Sequence, residues 1–384
     1  MGIGYLLAVV GLFFYSFTQV DLNLTLSEWS VWQAIQKFFQ NIGYFQRPLS
    51  SLLFIGIVLS LFFFYLMILR KIHEKKINRQ TIWFLIISTA LLLTFSYNAF
   101  SYDLFNYIFD AKIVTYYNQN PYVHKALDFP GDPMLSFMHW THRVFPYGPV
   151  WLGLTVPLSL GIEFFLPTFF LFKALMSLSF LGTTYFIGKI LRRISPEREI
   201  FGVAFFALNP LVVIESLVSS HNDIAMMFFV MWAIYLLMNM KYIRSIILFG
   251  LSIGVKFASI FIFPIFLLVF LLKKRRKEFD WEDIFSVMAI LMIIPVVLAT
   301  IRTNFQPWYL LNLLPFIALV SKKYYFFIPG VILSLFSLWQ YLPFLYLGNW
   351  DKPVPVILLW LSTASIILSV VVSLGYGFFK KIQA

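Results

Sequence analysis

Apolar stretches alternate with short polar segments along almost the whole chain. A transmembrane helix needs about 20 apolar residues, and many of these stretches approach that length while several fall short of it. The predicted spans cover residues 3–20, 49–69, 81–97, 166–188, 201–217, 224–240, 245–257, 258–272, 284–301, 308–320, 324–345 and 356–378. The pattern predicts an all-α fold, a polytopic transmembrane helical bundle of about 12 spans that forms one integral membrane domain over residues 1–384.

The composition supports a membrane protein and excludes several other classes. The chain is 60% hydrophobic and 12% charged, whereas soluble domains are about 25% charged. It contains 0 cysteines, which excludes a disulfide framework, a thiolate metal site and a cysteine nucleophile. The formal net charge is +12, but the basic residues form short clusters between apolar stretches. Because they do not form one basic surface with interleaved aromatics, no nucleic-acid partner is expected.

These basic clusters predict the orientation of the chain. Cytoplasmic loops are enriched in Lys and Arg, and placing every cluster on that side demands an even number of crossings between successive clusters. The clusters are Arg70 to Arg79, Lys189 to Arg198, Lys241 with Arg244, Lys273 to Lys277, Lys322 with Lys323, and Lys380 with Lys381. The spans 245–257 and 258–272 must then form a hairpin around Lys256, because a single crossing would place the following cluster outside.

The longest loop on the opposite side, residues 97–149, carries carboxylates where an apolar helix leaves the membrane. Its segment SYDLFNYIFDAKI, residues 101–113, contains Asp103 and Asp110. These carboxylates are nearly two helical turns apart, so an interfacial helix would present both of them, and Tyr107, on one face. Charge at this depth is costly and is usually retained for function. We therefore predict an extracytoplasmic catalytic loop over residues 97–149.

Three further segments shape the same predicted membrane face. NQNPY, residues 118–122, is a turn that ends the interfacial helix, because Pro121 cannot continue it. FPYGPVWLG, residues 145–153, leads into an apolar helix too short to span, which predicts a re-entrant segment. The third, NPLVVIESLVSSHND, brings a set of polar residues to the outer tip of the next predicted hairpin: Glu215, His221, Asn222 and Asp223.

The order of these motifs resembles that of the polytopic glycosyltransferases of the GT-C superfamily. The closest resemblance is to the bacterial and archaeal polyprenyl-phosphate-mannose-dependent mannosyltransferase-like group, with a weaker similarity to the glycosylphosphatidylinositol mannosyltransferases. It covers about residues 81–320, which would form the GT-C-like catalytic core, and it departs from the family in having YGP where YPP is commoner. The motifs that carry it contain Asp103, Tyr107 and Asp110; Asn120, Pro121 and Tyr122; Tyr147, Gly148, Pro149 and Trp151; Asn209, Pro210, Leu211 and Glu215; His221, Asn222 and Asp223; Lys256 with Pro264; and QPWYLLNLLPF, residues 306–316.

The resemblance implies that Asp103 is the general base. A carboxylate within about 3 Å of an acceptor hydroxyl, in apolar surroundings, can take its proton as the oxygen attacks the anomeric carbon of a lipid-phosphate sugar. The other candidate site residues are expected to bind substrate. They are Asp110, Tyr107, His139, His142, Arg143, Tyr147, Glu215, His221, Asn222, Asp223 and Lys256.

Structural alternatives stand beside several of these roles. Asp103 could cap a helix or pair with Lys112, as surface charges often do, and Asp110 could only hold Lys112 or Arg143. The two loop histidines and Arg143 could stabilise a leaving phosphate, or could be ordinary residues of a wet loop. Lys256 is suited to a lipid-linked phosphate or to snorkelling at a helix end. The residues of HND could instead cap the helix that follows them.

These features predict an inverting glycosyltransferase that moves a hexose, most of all mannose, from a polyprenyl-phosphate donor to a glycan or glycolipid acceptor. The active site is expected on the extracytoplasmic face of the cytoplasmic membrane. Because the lipid phosphate is itself the leaving group, no cofactor is expected, and a divalent cation held by histidine and carboxylates is the minor alternative. A lipid or sugar transporter or flippase, and a lipid-linked glycan ligase or polymerase, are the alternative functions.

Overall fold

The computed structural model describes residues 1–275 and 277–382 as a bundle of α-helices. Within these ranges there is no β-strand, and the only extended pairing is an isolated bridge between Lys125 and Val144. Arg276, a member of the basic cluster Lys273 to Lys277, lies outside the described residues. The predicted all-α class is confirmed.

The first four helices begin and end where local chemistry explains their bounds. They are α1 Gly2–Ser16, α2 Ser30–Gln40, α3 Arg47–His73 and α4 Arg79–Thr94. Three basic residues occupy the last turn of α3, where the helix dipole favours positive charge. Asn78 begins α4 by accepting a hydrogen bond from the backbone N–H of Thr81 at 2.8 Å, as N-cap residues do.

The segment between α4 and the next long helix contains two short helices. Helix α5, Asp103–Thr115, is the predicted interfacial helix. Helix α6, Pro149–Thr155, continues for one 3-10 turn and is apolar but too short to span. The loop between them is fixed by a buried ion pair between Lys112 and Asp132, and the Asp132 carboxylate also accepts a hydrogen bond from the Tyr117 hydroxyl at 2.7 Å.

The centre of the molecule is one long buried segment. The helices that form and enclose it are α7 Phe165–Ile194, α8 Glu199–Ala207, α9 Pro210–Val213 and α10 Asp223–Met238. Every residue from 202 to 227 is buried. The chain bends by 55° between α8 and α9, because Pro210 has no N–H to continue the helix and Asn209 caps the new one.

After α10 the chain turns back on itself at Lys256. Helix α11, Tyr242–Val255, ends there, a 3-10 helix follows, and α12, Phe263–Lys274, returns. Two aromatic rings of α11 pack on α12: Tyr242, at the start of α11, contacts Phe270 with ring centroids 5.0 Å apart, and Phe249, in the middle, contacts Phe266 at 4.5 Å. The two helices are therefore antiparallel, which is the hairpin that the charge distribution predicts.

Six further helices complete the bundle. They are α13 Trp281–Leu291, α14 Ile293–Thr303, α15 Leu314–Leu319, α16 Tyr324–Trp339, α17 Leu342–Leu347 and α18 Val354–Ile382. Two predicted spans are discontinuous here. The stretch 284–301 is interrupted at Met292, and 308–320 consists of a 3-10 helix followed by the short helix α15.

The number of complete spans is smaller than the number of predicted apolar stretches. Among the described residues, seven helices are long and apolar enough to cross a membrane, or eight if the bent pair α8 and α9 counts as one span. Four more apolar helices, including α4, α10 and α11, have only 10–17 residues. Each predicted stretch contains helix, but bends and 3-10 or π turns shorten several, so the count of about 12 is not confirmed.

The basic clusters gather at one end of the bundle. Arg79, at the start of α4, and Arg192, near the end of α7, both pair with Glu199, at 3.4 and 2.7 Å. Side chains at the ends of α7 and α12 both donate to the last carbonyl of α10, at 3.4 and 3.2 Å. The opposite ends of α4, α10 and the α11–α12 hairpin therefore share the other end of the bundle, and they lead to Asp103, Asp223 and Lys256.

Candidate functional site

The candidate site lies where the buried segment 202–227 leaves helical geometry. Helix α9 continues into a π-helical turn, Ile214–Val218, and Ser220 then adopts a left-handed backbone conformation with φ of 59°. π turns and left-handed conformations of residues other than glycine are uncommon and concentrate at functional sites. These two departures from the helix bring the side chains of Glu215 and His221 together inside the protein.

His221 is the centre of a chain of polar contacts. Its Nδ1 lies 3.0 Å from Oε2 of Glu215, and Oε1 of Glu215 accepts a hydrogen bond from the Tyr341 hydroxyl at 2.8 Å. The indole of Trp308 stacks on the imidazole, with ring centroids 4.0 Å apart and planes inclined by 16°. On the other edge of the ring, Nε2 lies 3.9 Å from Oδ2 of Asp103. The contacts thus run from the interior to Asp103.

Asp103 is the accessible end of this chain of contacts. It is the first residue of α5, and its backbone N–H donates a hydrogen bond to Ser101 Oγ at 3.1 Å. The Asp103 side chain is 20% exposed, whereas the side chains of His221 and Glu215 are 1% and 0% exposed. A substrate hydroxyl can therefore reach Asp103, while the residues behind it are shielded from solvent.

An aromatic wall is formed by two predicted site residues, Tyr107 and Tyr147. Tyr107 packs edge-on against both Tyr147 and Trp151, with ring centroids 5.2 Å apart in each case. The turn that carries Tyr147 is docked through Gly148, where a Cβ atom would lie 2.2 Å from the carbonyl oxygen of Gly254. This close backbone approach explains the YGP sequence, since only glycine fits there.

Lys256 lies in this region with a partner. Its Nζ is 2.6 Å from Oδ2 of Asp223, and the two side chains are 25% and 0% exposed. The backbone of Lys256 is extended between α11 and the following 3-10 helix, so the residue marks the turn of the hairpin. An ammonium bound to a buried carboxylate does not simply snorkel to a membrane interface.

Helix capping does not account for the HND sequence. Asn222 occupies the N-cap position of α10, but its side chain makes no capping hydrogen bond. Among the described residues, eight buried side-chain atoms in the stretch 215–223 have no hydrogen-bond partner. Three belong to Glu215 and His221, which are close but not aligned as a hydrogen bond, and two are the polar side-chain atoms of Asn222. Because buried polar groups are normally hydrogen-bonded, this concentration indicates a place where a polar ligand binds.

Asp110 is buried on α5, in contrast to the partly exposed Asp103. Burial raises the pKa of Asp110 well above its usual value, and the negative charge of Asp103 raises it further. Asp110 does not hold Lys112, which pairs with Asp132 instead. The Asp110 carboxyl group therefore favours its neutral form, in which it can donate a hydrogen bond as well as accept one.

His139, His142 and Arg143, which were predicted to bind a phosphate, all lie in the loop between α5 and α6, and their side chains make no hydrogen bond or ion pair within the described residues. His142 and Arg143 are exposed on the loop, where the Arg143 guanidinium lies 4.4 Å from the ring centroid of Trp140. The ring of His139 lies against that of Tyr102, with centroids 3.8 Å apart and planes inclined by 38°. Partial burial lowers the pKa of His139, so the imidazole favours the uncharged form.

Three residues of this region were not assigned a role from the sequence. Trp308 contacts His221, and Tyr341 contacts Glu215. Both come from helical segments distant in sequence, and no local sequence pattern predicts such contacts. Lys173 had a detectable signal, because it is the one charged residue in the apolar first half of α7. Its buried ammonium donates hydrogen bonds to Ser96 Oγ at 3.2 Å and to two carbonyls of the π turn, those of residues 217 and 218.

The arrangement of Asp103, His221 and Glu215 is linear. The imidazole lies between the two carboxylates, and each ring nitrogen faces a different one. Across residues 1–275 and 277–382, no group of three or more His, Asp or Glu side chains is arranged to hold a metal ion. The geometry suits the movement of a proton along a line of acids and bases.

Comparison with known proteins identifies the family. A family model described as alpha-(1->6)-mannopyranosyltransferase, N-terminal domain, matches residues 4–272. No curated protein and no solved structure matches the chain. The matched range contains Asp103, Glu215, His221, Asp223 and Lys256, and it covers well over half of the chain. The chain therefore belongs to the alpha-(1->6)-mannopyranosyltransferase family and is a multi-pass membrane mannosyltransferase of the GT-C type.

Proposed function

We propose that this mannosyltransferase moves mannose from a polyprenyl-phosphate donor to a hydroxyl of a glycan or glycolipid acceptor, with inversion at the anomeric carbon. The observation that carries the proposal is the position of Asp103, a partly exposed carboxylate in front of the buried polar stretch 215–223. The family supports the transfer of mannose. The resemblance in motif order supports a donor that is a lipid phosphate.

Asp103 would act as the general base. As the acceptor hydroxyl gives its proton to the carboxylate, its oxygen forms a bond to the anomeric carbon. The bond from that carbon to the phosphate oxygen breaks, and its electron pair stays on the lipid phosphate. One positioned carboxylate is sufficient for this displacement, and general bases of this kind contribute about 100-fold or more to the rate.

Lys256 is the cation best suited to meet the leaving phosphate. The Asp223 carboxylate holds the ammonium in place at 2.6 Å, and the side chain remains 25% exposed. An ammonium has three N–H donors, so it can bind Asp223 and still donate to phosphate oxygens. Charge that develops on the leaving group is stabilised by such a prearranged donor.

The extracytoplasmic face is proposed from the distribution of charge. The basic clusters occupy the end of the bundle opposite to Asp103 and Lys256. Loops rich in Lys and Arg remain cytoplasmic in membrane proteins. The candidate site would then open to the outer face of the cytoplasmic membrane. There the sugar donor would be a lipid phosphate, and no nucleotide sugar would be needed.

The test is a transfer assay with two donors. Purified protein is incubated with a membrane glycan and lipid fraction and with either labelled polyprenyl-phosphate-mannose or labelled nucleotide-mannose. We expect transfer only from the lipid donor, and a linkage of opposite anomeric configuration to that of the donor. Transfer from the nucleotide donor alone would refute the lipid-donor assignment, and a retained configuration would refute the single-displacement chemistry.

A further inference from the structure

The buried pair behind Asp103 has no role in a mechanism that uses one carboxylate. Glu215 and His221 are almost fully enclosed, and burying two ionisable side chains is costly unless they interact. The imidazole is fixed on one face by Trp308, and on its edges it faces Glu215 and Asp103. Its position between a buried acid and an accessible one requires an explanation.

We propose that His221, oriented by Glu215 and Trp308, receives the acceptor proton from Asp103, so that the base is a relay of three residues. This inference rests on the proposed function, because it assumes that Asp103 takes a proton from the acceptor. It assigns His221 to proton transfer and not to substrate binding, and it makes Glu215 a positioning residue for His221.

The contacts define which tautomer of His221 serves this role. Glu215 Oε2 lies 3.0 Å from Nδ1, although the two atoms are not aligned as a hydrogen bond in the structure. The relay assigns the hydrogen of the neutral imidazole to Nδ1, the nitrogen that faces this carboxylate. The tautomer is set by the partner of one nitrogen and leaves a lone pair on the other. Nε2 then faces Asp103 Oδ2 at 3.9 Å, and the relay requires these two atoms to approach to hydrogen-bond distance when the substrates are bound.

The transfer conserves protons and charge. The acceptor O–H bond breaks as Asp103 accepts the proton, and the same proton then moves from the carboxyl oxygen to Nε2 of His221. The result is an imidazolium between two carboxylates, Asp103 and Glu215, which both stabilise its charge. After the product leaves, the proton returns from Nε2 to the accessible Asp103 carboxylate and passes from there to water, which restores the neutral ring. Once the proton is on His221, Asp103 can no longer return it to the oxygen of the new glycosidic bond.

The first test uses substitutions that keep the shape of the site. Glu215→Gln should lower kcat by about 10-fold or more with little change in KM for either substrate, because the amide no longer supports an imidazolium. His221→Ala should lower kcat by about 100-fold, the scale of lost acid–base catalysis. The matched control is His124→Ala, which removes a histidine that also faces a carboxylate, Asp128 at 3.6 Å, but on the exposed loop.

Chemical rescue separates proton transfer from packing. Imidazole and 4-methylimidazole carry an N–H and a lone pair, so either should restore the turnover of His221→Ala by about 10-fold. In 1-methylimidazole the N–H is replaced by N–CH₃, so it cannot donate to Glu215 as a neutral ring and should not restore turnover. Restoration by all three compounds alike would show that the ring only fills space, and would overturn the relay.

Comparison with Asp103→Asn distinguishes failure of the relay from failure of the proposed function. If Asp103→Asn is inactive while His221→Ala and Glu215→Gln retain normal kcat, the relay is wrong and Asp103 still acts alone. If Asp103→Asn is also fully active, the proposed base is wrong as well. Should His221→Ala fail to fold, Glu215→Gln decides, because normal kcat in that variant contradicts the relay.

Discussion

The ionisable residues buried near Asp103 differ in how the energetic cost of their burial is offset. The Asp223 carboxylate is compensated by Lys256 at 2.6 Å, and the Glu215 carboxylate by a tyrosine hydroxyl and an imidazole. Asp110 has no cation and is driven toward its neutral form. A buried pair loses stability when one partner is removed, because the other charge is left uncompensated. Removing one partner of a buried pair should therefore lower the stability of the protein, whereas replacing the unpaired Asp110 by a neutral residue should not.

Asp110 gives a prediction about stability and pH. Its folded pKa is raised above the unfolded value, which is about 3.9 for aspartate. At a pH below the unfolded pKa the carboxyl group is protonated in both states and costs the folded protein nothing. As the pH rises toward the folded pKa, the unfolded state ionises first, so the folded state loses stability. Asp110→Asn cannot ionise, so its melting temperature should exceed that of the wild type by a margin that grows as the pH is raised from about 4.

Thermal unfolding in detergent across this pH range measures the Asp110 effect. The control is Asp128→Asn, a substitution of an exposed carboxylate on the same loop. A difference between Asp110→Asn and the wild type that stays constant with pH would contradict the raised pKa.

The sequence predicts individual site residues unevenly, and the reason is physical. Asp103 is conspicuous because a charge at the exit of an apolar helix is costly, and its contact with His221 follows from placing both at one end of the bundle. Exposed cations of the loop impose no such cost, so His142 and Arg143 could not be separated from the site. Tyr341 is one aromatic residue among many, and its hydrogen bond to Glu215 spans a large part of the chain.

At the scale of elements, the π turn after α9 depends on a lysine from another helix. A turn that ends a helix leaves carbonyl groups without N–H partners. The ammonium of Lys173 supplies donors to the carbonyls of Leu217 and Val218 from within α7. The turn lies between Glu215 and His221, so the same contact fixes the relative position of both side chains. Lys173 is thus a positioning residue that does not itself reach the substrate.

Lys173→Met should destabilise the protein and reduce its turnover together. Leaving the buried carbonyls unpaired costs about 1–3 kcal/mol of unfolding free energy, and the displaced turn should move His221 away from Asp103. The control is Lys189→Met in the same helix, where the ammonium lies 5.3 Å from the ring centroid of Tyr185 and away from the turn. Melting temperature and kcat are measured for both variants. Equal behaviour of the two would refute the role of Lys173.

The sequence predicts the long apolar helices well, because crossing a membrane requires a long apolar stretch, and it predicts the other helices poorly. The apolar stretches all contain helix, and the interfacial helix α5 and the short apolar helix α6 are present at the predicted places. Helix α2 was not predicted, because SVWQAIQKFFQ mixes polar and apolar residues and is too short for a span. The π turn was not predicted, because contacts with α7 hold it. The bend before it has a local cause in Asn209 and Pro210, but the apolar pattern predicted 201–217 as one span.

At the scale of the whole molecule, the fold separates a basic end from an end that carries the site. The two ends are connected by α4, α7, α10 and the hairpin of α11 and α12, which explains how segments distant in sequence converge on Asp103 and Lys256. The buried stretch 202–227 carries the polar residues of the site through the middle of the bundle. Because the surrounding helices enclose this stretch, a substrate can reach it only at its edge, where the accessible carboxylate of Asp103 lies.

The catalytic role of Asp103 is tested most directly by comparing turnover with donor binding in Asp103→Asn, using Asp128→Asn as the control. The amide has nearly the shape of the carboxylate but cannot take a proton. We therefore expect polyprenyl-phosphate-mannose to bind the variant as it binds the wild type, while kcat falls by about 100-fold or more. Mannose transfer by Asp103→Asn at the rate of the Asp128→Asn control would contradict the account.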